Sequence, residues 1–525
     1  MISKQKNNDW RLIRIIVPAS KRETIYSRPL KITTSLAAVI LATIINKIWG
    51  WRVEIIDENN FRSGPLDKNG LPDHAVLQRE NPAVLVGFYC GLSSQIDRVW
   101  DLAKLYKEQG VATVAGSWHS HYLPEETLRH DIDLVVHGDG EPVIKRIISN
   151  FSDGKPLWQS VPGVSFLRDG KVYHNSLSLQ EIQGIPDEDE FLNGLMNKAF
   201  DLSDQPYPDF GLVKLAKIKI YPIGRIRGCS FRCEFCSVRG SARWASPEYL
   251  FGTVNWLVQT RKAKEFFIVD DRLEEDIEGT IRFFEMIAKK YGNKLSFIVQ
   301  VRLGAAENTR LLEVMEKAGV RVVCIGYESP IQEELKAMRK GVAAEKMLEL
   351  TRIWRKHFRI HGMFIVGFPL QDNQPSPPAK KIYKVYKDFV RKAGIDSVQF
   401  LVAGPVPGSD LKKRLKKDQR LPFSDQEMSL AGDGNFVLFK PIGITATELQ
   451  NTTMRLMRWF YGPLNIPRFV FRLLSFPFDW LIRGWQNWYK DWCRDKIKLG
   501  GHYLLRKWQR RKEVAELLEE IKKRC

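Results

Sequence analysis

Cysteine is scarce in this chain, acidic residues are too few to balance the basic ones, and no apolar run near the N-terminus is long enough to cross a membrane. Seven cysteines occur in 525 residues. Four of them, Cys90, Cys324, Cys493 and Cys525, are scattered without disulfide-like spacing, which excludes a stapled secreted scaffold and points to a reducing cytosol. Met1 to Arg14 is polar and basic, unlike the opening of a signal peptide. The apolar stretch Leu36 to Ile45 is about half of the roughly 20 residues that a membrane-spanning helix requires, so it reads as a buried helix. Lys and Arg number 81 against 61 Asp and Glu, a net charge of +20 that suits nucleic acid or an anionic membrane surface as a partner.

What is present is ample apolar material, 44% of a chain whose length calls for two or three domains. The first 150 residues alternate strand-like and helix-like runs: strand Leu12 to Val17, helix 33 to 48, strands Val53 to Asp57 and Ala83 to Phe88, helix 95 to 109, strands Val111 to Val114 and Leu134 to His137. Such alternation predicts a parallel sheet wrapped by helices, a Rossmann-like α/β domain. Gly116, and Gly138 and Gly140 in Gly138-Asp139-Gly140-Glu141, follow strands at the edge where an open α/β sheet offers its ligand crevice; the alternative is plain tight turns. Val161 to Tyr173, turned at Asp169-Gly170, predicts a hairpin closing this domain, which spans 1–180. The acidic, Pro-containing segment from Ile185 to Phe210 marks a linker over 181–212. Strands at Lys217 to Ile223, Phe266 to Val269, Leu295 to Val301, Val322 to Ile325, Met363 to Val366 and Ser397 to Leu401 then alternate with amphipathic helices, giving a partial TIM-type (β/α)6 barrel over 213–412. Residues 413–525 predict a mostly helical region rich in Trp and basic residues.

The chemistry concentrates in Gly228-Cys229-Ser230-Phe231-Arg232-Cys233-Glu234-Phe235-Cys236, just after the first barrel strand. A four-iron cluster takes four cysteine ligands, so a C-x3-C-x2-C triplet with no fourth Cys nearby holds three irons and leaves one open to a small molecule. Structural zinc and coincidental core thiols are the alternatives. Zinc wants four ligands at paired spacings, and no histidine lies close to the triplet in sequence.

The run Cys229, Cys233, Phe235-Cys236 resembles the signature of the radical S-adenosylmethionine (SAM) enzymes. That resemblance implies a [4Fe-4S] cluster on Cys229, Cys233 and Cys236, with SAM chelating the free iron and cleaved on reduction to a 5'-deoxyadenosyl radical. It implies Phe235 near the adenine, and a one-electron donor such as a flavodoxin or ferredoxin. In α/β barrels function gathers at the C-terminal strand ends. Asp270-Asp271, Gln300, Arg302, Glu328 and Gly367-Phe368-Pro369 fall there, either as ligand contacts or as caps of the following helices. Gly326-Tyr327-Glu328-Ser329 is similar to the family's SAM-contact segment, which implies Gln300, Arg302 and Glu328 as SAM contacts.

The N-terminal layout, with Ser35-Leu36-Ala37-Ala38, Gly116-Ser117-Trp118-His119 and Gly138-Asp139-Gly140-Glu141, resembles the flavodoxin-like cobalamin (B12)-binding domain that precedes the barrel in one radical SAM subfamily. Cobalamin would then lie on Gly116, Ser117, Gly138 and Gly140. The wider B12 family's D-x-H-x-x-G motif is missing, since Asp57 is followed by Glu58-Asn59-Asn60-Phe61-Arg62; a corrinoid without a protein His ligand, or a domain kept for its fold alone, remains. Gly404 to Ser409 and Asp433 to Pro441 resemble the tail of the same subfamily, so the likeness covers roughly residues 10 to 465. It implies a methyltransferase acting on an unactivated carbon of a lipid or secondary metabolite, with one SAM methylating cob(I)alamin and a second supplying the radical. A cyclase, rearrangement or carbon–carbon coupling enzyme without cobalamin is the second reading, and an iron–sulfur redox sensor on nucleic acid a remote third.

Beyond residue 465, Trp480, Trp485, Trp488, Trp492 and Trp508 interleave with Arg468, Arg472, Arg483, Lys490, Arg494 and Lys496. Rings beside cations suit a water–lipid boundary. They also suit a helix packed on the barrel with a solvated cationic face. The sequence therefore predicts a cytoplasmic protein either free or peripheral at a membrane, with nucleic acid disfavoured because the RNA-modifying relatives carry a second Cys triplet that Cys90 alone cannot supply. Glu513 to Lys523 reads as a solvated terminal helix.

Overall fold

The computed structural model describes residues 10–20, 31–176, 181–183, 200–238 and 241–525. Half of the expected linker, 184–199, lies outside the described residues. Contacts divide the chain into two compact units. One takes in the N-terminal chain through Ser230 together with Val238–Phe267, the other Phe231–Ser237 together with Ile268–Cys525.

In the first unit, β1 (Arg11–Val17), β2 (Trp51–Asp57), β3 (Leu85–Tyr89), β4 (Ala112–Gly116) and β5 (Leu134–Val136) form the parallel part of an eight-stranded sheet in the order β2-β1-β3-β4-β5. Ile13 pairs with both Val53 and Leu85, so β1 is central. Its apolar run is buried almost throughout, as a parallel strand covered on both faces should be. The order places a topological switch point between β1 and β3, where open α/β sheets hold ligands at the carboxyl ends of the strands. The expected hairpin is β6 (Val164–Arg168) with β7 (Lys171–Asn175), extended by a third antiparallel strand, β8 (Glu181–Gln183).

A second sheet contains β9 (Ile220–Ile223), then, after a short antiparallel ribbon of β10 (Ile226–Arg227) and β11 (Arg243–Trp244), the strands β12 (Glu265–Ile268), β13 (Ser296–Val301), β14 (Val320–Glu328), β15 (Arg359–Val366) and β16 (Ser397–Val402). Its order, β16-β15-β14-β13-β12-β9, is sequential. The resolved pairings β13–β14, β14–β15 and β15–β16 are parallel. This is the half-open (β/α)6 barrel expected. Helices Ile277–Tyr291 and Ala379–Ala393 cover its outside, where Phe283, Phe284 and Phe297 pack edge to face and Tyr327 stacks on Phe364.

The C-terminal region is helical, as expected, with helices Ala446–Phe460, Asn465–Leu474, Phe476–Arg483, Trp485–Gln509 and Lys512–Arg524. The last is not merely a solvated cap. Val514 and Ile521 are 1% exposed, and Arg524 binds Glu427 at 2.6 Å. The periodicity of Val514 and Ile521 was hidden by the charges around them. Among the described residues no helix is long and apolar enough to cross a membrane.

Candidate functional site

The cysteine loop follows β9 and the ribbon strand β10 and has almost no regular structure of its own. Its entrance is held from within the first unit. Arg227 donates to Asp139 at 2.8 Å and to Glu141, and Arg243 donates to the other oxygen of Asp139 at 2.7 Å. The two guanidinium groups hold the Asp139 carboxyl below the usual carboxylate range. Asp139 is the N-cap residue of helix Gly140–Ser152, yet its side chain makes no cap bond, because both oxygens are spent on these arginines. Gly228 then turns the chain into the loop with φ +85°, and a Cβ there would stand 2.8 Å from the Ser241 carbonyl oxygen.

The rest of the loop is fixed within the second unit. Phe231 lies under two guanidinium groups, Arg302 at 3.5 Å and Arg272 at 4.4 Å from the ring centre. Arg302 is itself positioned by its side-chain bond to the Lys340 carbonyl and by its amide, which donates to Glu274 at 2.6 Å. Glu234, 1% exposed, accepts from Arg414 Nε at 2.6 Å and from Gln371 Nε2 at 2.8 Å, while its amide donates to the Met338 carbonyl. Cys236 N–H donates to the Cys233 carbonyl, closing a tight turn. Phe235 is half-buried and meets Phe368, of Gly367-Phe368-Pro369, edge to face at 6.4 Å.

Cys229, Cys233 and Cys236 are all partly exposed. Among the described residues no three His, Cys, Asp or Glu converge as ligands of a single metal ion. A lone zinc draws its ligands to about 2.3 Å, whereas a cluster presents a separate iron to each thiolate. Three partly exposed thiols on a pinned loop suit a cluster, which presents a separate iron to each.

Glu328 ends β14 with φ +60° and is engaged by Lys340 Nζ at 2.7 Å. A Cβ at Gly326 would sit 2.5 Å from Glu328 Oε1 and 3.1 Å from Lys340 Nζ, so a larger residue there would displace this ion pair. In the same segment Tyr327 bonds Thr351, and Ser329 bonds Glu334, whose carboxyl burial lifts to about 7. Gln300 is exposed near the end of β13. Since Phe297 faces the covering helix, strand alternation puts Gln300 on the opposite, inner face. The register then aligns Gln300 with Cys324, Cys324 with His361 and His361 with Ser397. His361 bonds Ser397 at 2.9 Å, and burial lowers its imidazole to about 4 and raises the Cys324 thiol to about 12, so both are neutral near pH 7. Cys324 and His361 were not foreseen; the signal was polar residues at period 2 inside apolar strands.

In the first unit Gly116 closes β4, Ser117 holds φ +90°, and Gly138 holds φ +69°. A non-glycine residue at such a φ is backbone strain at the crevice edge. Gly140 opens its helix against Leu41, 3.1 Å from where a Cβ would stand. The loop after β2 packs on the segment that leaves β1 at the switch point: Glu58 accepts from the Ala19 amide and Asn59 from the Ser20 amide, each at 2.8 Å, and Gln95 bonds Ser20 at 2.7 Å. Asp57, 1% exposed, is lifted to about 6 by burial. A strained glycine-bearing rim beside a costly buried carboxylate fits a loop-held ligand without a His.

Residues 223–375 match the Radical SAM superfamily. The chain is 28% identical over 351 residues to an uncharacterized methyltransferase of Pyrococcus horikoshii, covering 64% of this chain and 70% of the relative. It is 25% identical over 474 residues to cytidylyl-2-hydroxyethylphosphonate methyltransferase of Streptomyces wedmorensis, covering 82% and 85%. Its fold is similar to that of the cobalamin-dependent S-adenosylmethionine radical enzyme OxsB, solved with aqua-cobalamin and S-adenosylmethionine, at a TM-score of 0.61 and 14% identity over 98% of this chain and 80% of OxsB. The matched span contains the cysteine loop, so it is in this segment that the chain is similar to the radical SAM superfamily.

Proposed function

We propose that this protein is a cobalamin-dependent radical SAM methyltransferase acting on an unactivated carbon of a small molecule or lipid. The observation that carries the reading is one chain holding both a 2-1-3-4-5 parallel sheet with a strained ligand rim and a triplet of accessible cysteines pinned after the first strand of a (β/α)6 barrel. Methyltransferase relatives along most of the chain support it. Bound cluster, SAM and cobalamin would supply the radical and the methyl group.

The chain's own part is positioning. Cys229, Cys233 and Cys236 would hold the cluster, with Glu234, Arg414 and the Arg272–Phe231–Arg302 stack fixing the loop between them. Phe235, Gln300, Arg302 and Glu328 would line the SAM side, and Gly116, Ser117, Gly138 and Gly140 the corrinoid side. The neutral row Gln300, Cys324, His361 and Ser397 offers hydrogen bonds without a formal charge, which suits an uncharged reacting carbon. An external one-electron donor, a flavodoxin or ferredoxin, is required, and a peripheral membrane contact through residues 413–525 belongs to the same reading. The test is anaerobic turnover of the reconstituted protein, with both 5'-deoxyadenosine and S-adenosylhomocysteine expected; 5'-deoxyadenosine alone would exclude methyl transfer.

One observation favours a radical cyclase or coupling enzyme instead. Where the wider B12 family has its ligand histidine, Asn59 is bonded to the Pro18 carbonyl and the Ser20 amide. Corrin absorbance after anaerobic expression with cobalamin separates the two.

A further inference from the structure

We propose that the pair of short helices Asn465–Leu474 and Phe476–Arg483, continued to Tyr489, is a single-leaflet anchor that seats this chain on an anionic lipid bilayer. The proposal rests on the peripheral contact put forward above and names the element that makes it.

The first observation is apolar exposure. More than half of the exposed large apolar side chains among the described residues lie between Leu464 and Tyr489. Phe471 is 71% exposed, Leu474 75%, Phe478 71%, Leu481 75% and Ile482 83%. These are not scattered single residues but neighbours on two consecutive helices, and soluble chains rarely leave a contiguous surface of this kind in water.

The second observation is where the charges point. From 461 to 512 the sequence has twelve Lys or Arg against three Asp and no Glu. All three aspartates are turned inward. Asp479, Asp491 and Asp495 each bind Arg472, at 3.5, 3.2 and 2.5 Å, and Asp491 also meets Arg494, which reaches Asp396 beside β16. Arg472 is thereby neutralised inside the hairpin, and the outward surface is left with apolar side chains and cations such as the exposed Arg468. That pairing matches an apolar phase bounded by negative headgroups. A second copy of the chain would instead bring one basic rim against another.

Length and rings set the depth. Helices of 10 and 8 residues cannot cross a core that needs about 20, so the element lies within one leaflet. Trp480 and Trp485, about half exposed, flank it in the manner of interfacial tryptophans. Trp485 stacks on Tyr489, and the buried Trp488 stacks on Trp492, so the exposed rings stand on a packed aromatic base.

The test is flotation of the full chain with vesicles of phosphatidylcholine alone or with one third phosphatidylglycerol, comparing wild type with Phe471→Asp/Leu474→Asp and Leu481→Asp/Ile482→Asp. Wild type should bind the anionic vesicles, with a blue shift in tryptophan fluorescence, and each double variant at least tenfold more weakly with its melting temperature unchanged. Variants that bind as wild type does overturn the hairpin while leaving a membrane contact elsewhere. Wild type that binds neither vesicle removes both readings. A concentration-dependent dimer abolished by the same substitutions overturns the anchor in favour of self-association.

Discussion

Arg414 reaches back 180 residues in sequence to hold Glu234, one of the two residues between the second and third cysteines of the triplet, at 2.6 Å. The Glu234 carboxylate is buried, and Gln371 takes its other oxygen. Two neighbouring cysteines are thus spaced by an ion pair whose cationic partner lies beyond the sixth barrel strand.

Removing one partner of this pair should cost about 3 kcal/mol, because the other charge stays in a poorly solvated place. Arg414→Ala is expected to lower the iron and sulfide retained per chain as well as the melting temperature. Full iron loading with an unchanged melt would show that the pair does not shape the loop.

Arg302→Lys keeps the charge but loses the planar face that lies on Phe231. SAM affinity should fall about tenfold, equivalent to about 1.4 kcal/mol, in anaerobic equilibrium dialysis. Unchanged affinity would remove Arg302 and Phe231 from the SAM side.

His121, His137 and His174 are buried in a chain of bonds, His121 to His137 at 3.3 Å and both His137 and His174 to Ser165. Burial lowers His121 and His174 to about 4, and His137 well below its usual value. The unfolded chain therefore takes up these protons first, near 6.5. Stability is complete above that pH and falls as pH drops toward 4, by about 1.4 kcal/mol per imidazole per pH unit. Urea midpoints at pH 7.5 and 5.5 should show the loss, and His174→Gln should reduce it. A flat profile would contradict the arrangement.

Asp57 acts in the opposite sense. Its folded value of about 6 lies above its unfolded one, so ionisation opposes folding as pH rises from about 4 to 6, and the full penalty is present at pH 7. Asp57→Asn preserves an acceptor for the Asn59 amide and should stabilise the protein by about 2 kcal/mol at pH 7.5 but not at pH 4. Equal midpoints at both pH values would show that the carboxylate is not strained.

Strands and the cysteine loop could be read locally, since period-2 and buried-run patterns and the C-x3-C-x2-C spacing are short-range features. Val164–Arg168 and Lys171–Asn175 flank Asp169-Gly170 as a hairpin turn requires. The short helices Trp118–Tyr122 and Pro124–Leu128 were missed because one turn carries too little periodicity. The ties that fix the site, Arg227 to Asp139 across 88 residues and Arg414 to Glu234 across 180, leave no local pattern at all. Nor did the strand ends settle as simple helix caps: Glu328 went to Lys340, and the Arg302 side chain to Phe231 and the Lys340 carbonyl.

The most direct test of the account is anoxic incubation of the reconstituted protein with SAM and a low-potential donor, assayed for 5'-deoxyadenosine in wild type and in Cys229→Ala, Cys233→Ala and Cys236→Ala. Wild type should release 5'-deoxyadenosine, and each variant should lose both the cluster absorbance and that product. Release undiminished in any one of the three would contradict it.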